Sequence, residues 1–103
     1  MADAGQDERR KNKRIHFIKE VDVVGVGIRR CMDLSIGGMY LDTHEHFPAG
    51  TQLTLRFKLQ NTDPQPIQVQ ARVLYVHEGV GIGVGFIDLK PEDQAKILKF
   101  VEG

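Results

Sequence analysis

The chain has 103 residues, which is one domain with room for a single modest core. Hydrophobic residues make up 41% and charged residues 27%, the balance of a soluble globular protein, and no run approaches the ~20 apolar residues that a membrane-spanning helix needs. The net charge of zero conceals an asymmetry: residues 1–30 carry 8 Lys/Arg against 5 Asp/Glu, and residues 31–103 carry 6 against 9. A protein that covers a long polyanion spreads basic residues over a whole face. Here five of the six residues from Arg9 to Arg14 are basic, which favours a small anion. Met1–Glu8 lacks the apolar stretch of a signal peptide, and Cys31, the single cysteine, allows no internal disulfide. The expected address is the cytoplasm.

In chain order, residues 1–8 are small, polar or charged, and a disordered tail is expected there. The basic segment 9–17 follows as a flexible arm ending in Ile15-His16-Phe17. Alternation of period two then begins. Val21 and Val23 flank Asp22 in a first strand that ends near Gly25, Gly27–Asp33 forms a second, and Ser35–Gly38 turns into a third, Met39–Asp42. Pro48-Ala49-Gly50 is a turn signal. Leu53, Leu55, Phe57 and Leu59 alternate with Thr54, Arg56 and Lys58. Beyond the break at Asn61–Pro66, Ile67, Val69, Ala71, Val73 and Tyr75 alternate with polar residues, which sends Tyr75 toward the core. The last strand, Val80–Phe86, carries glycine at 81, 83 and 85, where a tightly curved barrel would need relief from crowding. Six short antiparallel strands predict a small closed barrel over 18–87.

A helix is predicted over 91–101. Pro91 suits its first position, Glu92 and Asp93 suit its positive end, and Lys96 and Lys99 suit its negative end. Ala95, Ile97, Leu98 and Val101 form an apolar stripe that could lie over a barrel opening. The fold class is therefore mainly β: a six-stranded antiparallel β-barrel with a C-terminal α-helix and a basic N-terminal arm, in a single domain over 9–103.

Two clusters carry chemistry. Arg10-x-x-x-Arg14 offers guanidinium forks, which pair bidentately with phosphate oxygens or with the O6/N7 edge of guanine. Asp33-x-Ser35-x-x-Gly38 offers a carboxylate and a hydroxyl to meet guanine's N1–H and N2–H₂ donors. Taken singly, the first reads as a solvated basic tail and the second as an ordinary turn whose side chains bond the backbone. Together they suit a ligand that carries both phosphates and guanines.

In this order and separation, with the alternating strands and the closing helix around them, the two motifs resemble the PilZ domain family of cyclic di-GMP (c-di-GMP) receptors. Ala71–Val76 looks like the family's fifth strand, and Gly83–Phe86 with the helix after it looks like its close. The resemblance implies that Arg10 and Arg14 grip phosphate and guanine, that Asp33 and Ser35 read guanine, and that Gly38 lets its backbone approach the ligand. Arg9 falls where the family sets whether one ligand or a stacked pair binds, and an extra arginine suits a pair. Tyr75 stands where many relatives have tryptophan, a stacking position.

The implied ligand site is thus Arg9, Arg10, Arg14, Asp33, Ser35 and Gly38, with no cofactor beyond cyclic di-GMP itself. No metal site or catalytic residue is expected. His44-x-His46 supplies two ligands only, and Ser35 lacks both a nucleophile elbow and a placed histidine. The expected protein is a cytoplasmic receptor, not an enzyme. Its arm would order on ligand binding and signal to a downstream partner protein. The alternatives are a PilZ-like adaptor that acts through protein contacts alone, and a small nucleic-acid-binding barrel. The intact motifs weigh against the first; few aromatics, no tryptophan and zero net charge weigh against the second.

Overall fold

A computed structural model describes residues 13–103. The tail 1–8 and the arm residues Arg9 and Arg10 lie outside the described residues. Six strands, β1 (Ile15–Val23), β2 (Gly27–Ser35), β3 (Gly38–Asp42), β4 (Gln52–Phe57), β5 (Ile67–His77) and β6 (Gly81–Ile87), precede one helix, α1 (Pro91–Glu102). The strands close into a barrel in the order β1-β2-β3-β6-β5-β4, with every neighbouring pair antiparallel. The predicted fold class is the observed one. Ile15–Phe17, assigned to the arm on sequence, are the first residues of β1. Phe17 is buried, so β1 joins the core from its third residue.

The core follows from alternation. Leu53, Leu55 and Phe57 of β4 face Ile67, Val69, Ala71 and Val73 of β5 inside the barrel, while Gln52, Arg56, Gln68 and Gln70 stay outside and hydrogen-bond across the pair. Leu59 is buried although β4 ends two residues before it. Each such side chain contributes about 1.5–3 kcal/mol when withdrawn from water. The ladders are uneven. β5 pairs with β6 over most of its length, but β1 meets β4 only at Asp22–Arg56 and Val23–Leu55, extended by the Val24 amide donating to the Thr54 carbonyl at 2.9 Å.

α1 covers the core and packs near β2. Pro91 opens it, Glu92 and Asp93 occupy its first turn, and Lys99 lies in its last. Gly103, at φ 87°, closes it by donating its amide to the Lys99 carbonyl. Only part of the predicted stripe is used. Ile97 and Val101 are buried, Ala95 and Leu98 are exposed, and Phe100 takes their place by meeting Phe17 edge-to-face at 5.5 Å. Ile97, Phe100 and Val101 lie on one helical face at spacings of three and four. Among the described residues, no helix is long and apolar enough to cross a membrane.

Candidate functional site

Two ladder irregularities decide which way Asp33 points. Cys31 of β2 faces the core and is fully buried, so strict alternation would send Asp33 inward beside it. Between these residues the β2–β3 register slips, with Cys31 opposite Leu41 but Asp33 opposite Tyr40. On the other side the β1–β2 register slips between His16 and Lys19. An extra residue in a ladder bends the strand and re-aims a side chain. Met32 and Asp33 both become half-exposed, and Leu34 takes the inward position.

The slip places Asp33 in a transverse row on the outer face of the barrel. His16 of β1, Asp33 of β2, Tyr40 of β3, Gly83 of β6 and Tyr75 of β5 are successive cross-strand partners. Arg14, the residue before β1, reaches this row and donates from Nη1 to Asp33 Oδ1 at 2.6 Å. The guanidinium is 47% exposed and the carboxylate 30%, so both keep surface for a ligand. The two motifs, 19 residues apart in sequence, meet here.

The rest of the row is aromatic. The phase of Tyr75 with Ala71 and Val73 points inward while its match to the family's stacking position points outward, and it is exposed. A register slip between Val73 and Tyr75 turns it out and brings Val76 against the core instead. Tyr40, Tyr75 and His77 then cluster, with ring centroids 5.2–6.3 Å apart. Tyr40 Oη and His77 Nδ1 are hydrogen-bonded at 2.9 Å. Burial, with the charges of Asp42 and Asp33 nearby, raises the Tyr40 phenol above its ordinary value. It therefore keeps its proton and presents a neutral ring.

The alternating glycines of β6 make this cluster possible. A β-carbon on Gly83 would overlap the Tyr75 ring, and one on Gly81 would collide with the Tyr40 ring and the Leu41 carbonyl. They relieve crowding, as expected, but crowding by aromatic rings laid across the outer face of the strand.

Ser35 and Gly38 occupy the β2–β3 turn, and the structure gives both a local role. Ser35 is 1% exposed; its Oγ accepts from the Gly37 amide at 3.2 Å and faces the Gly38 carbonyl at 3.4 Å. Gly38 pairs with Gly85 across β3–β6, and a β-carbon there would overlap the Val84 carbonyl oxygen. Close strand packing, then, requires glycine at this position. The Phe86 amide donates to the Gly37 carbonyl at 2.8 Å and ties the turn to β6. Of the six residues expected at the site, Arg14 and Asp33 face each other on the outer surface, Ser35 and Gly38 build the turn beneath, and Arg9 and Arg10 fall outside the described residues.

Neither Tyr40 nor His77 is singled out on sequence. The signal available was the glycine spacing of β6, which marks where rings must lie. Two surface grooves among the described residues, each about 580 Å³, lie elsewhere: one runs between residues 59–63 and α1, the other beside Arg29, Asp42 and Val80. The Asp33 row is an open face rather than a cleft. His44 bonds the Gly79 carbonyl and His46 the Glu78 carboxylate, and no group of three metal-ligating side chains gathers among the described residues.

A barrel of this order with an arginine and an aspartate paired on its outer face defines a class, and the family model for the PilZ domain matches residues 8–103. The chain belongs to the PilZ domain family. Among solved structures it is similar to the Borreliella burgdorferi PlzA protein in complex with c-di-GMP, at 17% sequence identity and a TM-score of 0.58. The match covers 93% of this chain and 37% of that one, so this chain spans little more than a third of the PlzA chain. At that identity the likeness concerns the fold. No curated protein sequence matches the chain.

Proposed function

We propose that this protein is a receptor for cyclic di-GMP that binds the dinucleotide across the Asp33 row and signals to a partner protein. The observation that carries the reading is the Arg14–Asp33 pair at 2.6 Å, which brings one residue of each of the two sequence motifs together on one exposed face. PlzA, similar in fold, is described in complex with c-di-GMP. Asp33 would accept from guanine N1–H and N2–H₂, and Arg14 would turn its fork to phosphate or to the guanine Hoogsteen edge. An exposed ion pair is worth about 0–1 kcal/mol, so separating it costs little against the charge-assisted bonds gained. Tyr40 and Tyr75 would supply flat apolar surface beside the bases.

Arg9 and Arg10 would complete the phosphate contacts from the arm. Ordering of the arm would create the surface that a cytoplasmic partner reads. Ser35 would act by holding the turn, and Gly38 by letting β3 approach β6. The reading assigns a binding role and no catalysis.

Calorimetric titration with cyclic di-GMP, cyclic di-AMP, GMP and a single-stranded oligonucleotide tests it. Saturable binding of cyclic di-GMP, with adenine dinucleotide and GMP much weaker, is the expected result. Absence of all nucleotide binding would leave a protein-contact adaptor. Oligonucleotide binding at least as strong would make the barrel a nucleic-acid module.

A further inference from the structure

Asp33 sits where the ladders on both sides of β2 slip, between His16 and Lys19 on β1 and between Cys31 and Asp33 within β2 itself. Met32, between Cys31 and Asp33, is the residue that both ladders leave unpaired, and the bulge it forms re-aims Asp33 next to it. One contact bridges that bulge to the Asp33 peptide. From inside the barrel, the fully buried Cys31 places its Sγ 3.1 Å from the Asp33 carbonyl oxygen, with the thiol as donor. Leu34, fully buried, follows immediately in the chain.

We infer that Cys31 is a positioning residue for ligand recognition: its thiol holds the Asp33 peptide in the bulge and so keeps the Asp33 carboxylate on the outer face beside Arg14. This rests on the receptor reading for its consequence in binding, though not for the bond itself. Burial pushes the Cys31 thiol up to about 12, so the group stays a protonated donor at physiological pH. A valine would fill the same space and give the carbonyl nothing. A serine would keep the donor.

The test compares Cys31→Val, Cys31→Ala and Cys31→Ser with wild type, each first checked for folding by thermal unfolding. In ligand-free protein, the Asp33 carbonyl ¹³C resonance and its Hα–Hβ couplings report the bond and the side-chain direction. Both are expected to move in the valine and alanine variants and to stay close to wild type in the serine variant. Titration with cyclic di-GMP and cyclic di-AMP should then show affinity for the guanine dinucleotide falling about 5- to 10-fold in the valine and alanine variants, the scale of one hydrogen bond. The ratio between the dinucleotides should shrink with it, and serine should restore both.

Unchanged Asp33 resonances in folded Cys31→Val would overturn the bond. Shifted resonances with wild-type affinity and ratio would overturn the role in recognition, and equal losses in all three variants would reduce the effect to repacking. If wild type itself binds neither dinucleotide, it is the receptor reading that fails, and the ligand-free resonances still decide whether Cys31 holds Asp33.

Discussion

Asp33 and Gly38 belong to one short motif but answer to different forces. Asp33 is held outside the barrel with half-exposed surface, and its only described side-chain partner is Arg14. Asp33→Ala is therefore expected to leave the melting temperature within a few degrees of wild type, since an exposed pair contributes about 0–1 kcal/mol. Its preference for cyclic di-GMP over cyclic di-AMP should fall roughly 10- to 100-fold, because hydrogen bonds to a charged acceptor are worth about 1.5–3 kcal/mol. Gly38→Ala should do the reverse. Its methyl group would overlap the Val84 carbonyl and destabilise the fold by about 1–3 kcal/mol before any ligand is considered. Thermal unfolding and calorimetry on the two variants separate the roles. A stable Gly38→Ala variant that has lost only binding would restore the ligand-approach role that the sequence suggested. At this scale the residue types were legible but their directions were not. Asp33 and Tyr75 face outward because of register slips, and a slip depends on the neighbouring strand, which period-two reading of one segment cannot see.

The elements were legible where local pattern and tertiary demand agree. β4 and residues 67–73 of β5 follow from uninterrupted alternation, and α1 from Pro91, its acidic first turn and its basic last turn. The helix's buried face was only half legible, because the choice between Leu98 and Phe100 is made by Phe17 on β1 rather than by the helix. Ile97 is fully buried in the core cluster, so Ile97→Ala should destabilise by about 2–5 kcal/mol in urea unfolding. Leu98→Ala, on the exposed side, should change little by comparison. Equal costs at the two positions would mean that α1 is packed in another orientation. Lys19 Nζ donates to Asn61 Oδ1 at 2.8 Å and bridges β1 to the β4–β5 loop, an attachment no sequence pattern announces.

For the whole molecule, the proposed signal is a change in the arm that precedes β1. Like charges crowd Arg9–Arg14, and a ligand with two phosphates would neutralise them and give each fork fixed acceptors. Saturating cyclic di-GMP is expected to slow tryptic cleavage after Arg9, Arg10, Lys11 and Lys13, and GMP at the same concentration should slow it much less. Gel or mass-spectrometric time courses read this directly. Protection that is already complete without ligand would remove arm ordering as the route of the signal, while leaving ligand binding intact.

The short β1–β4 seam bears on how the barrel breathes. A cylinder fastened by two rungs along one line and by long ladders elsewhere has a preferred place to part. The strand on one side of that line begins immediately after Arg14, and its opposite edge lies against the strand carrying Asp33. A ligand bound by both residues would staple β1 to β2 at its first turn. Every parting of the clasp that carries the start of β1 away would then have to break ligand contacts as well, so occupancy at the outer face and closure of the cylinder draw on the same free energy.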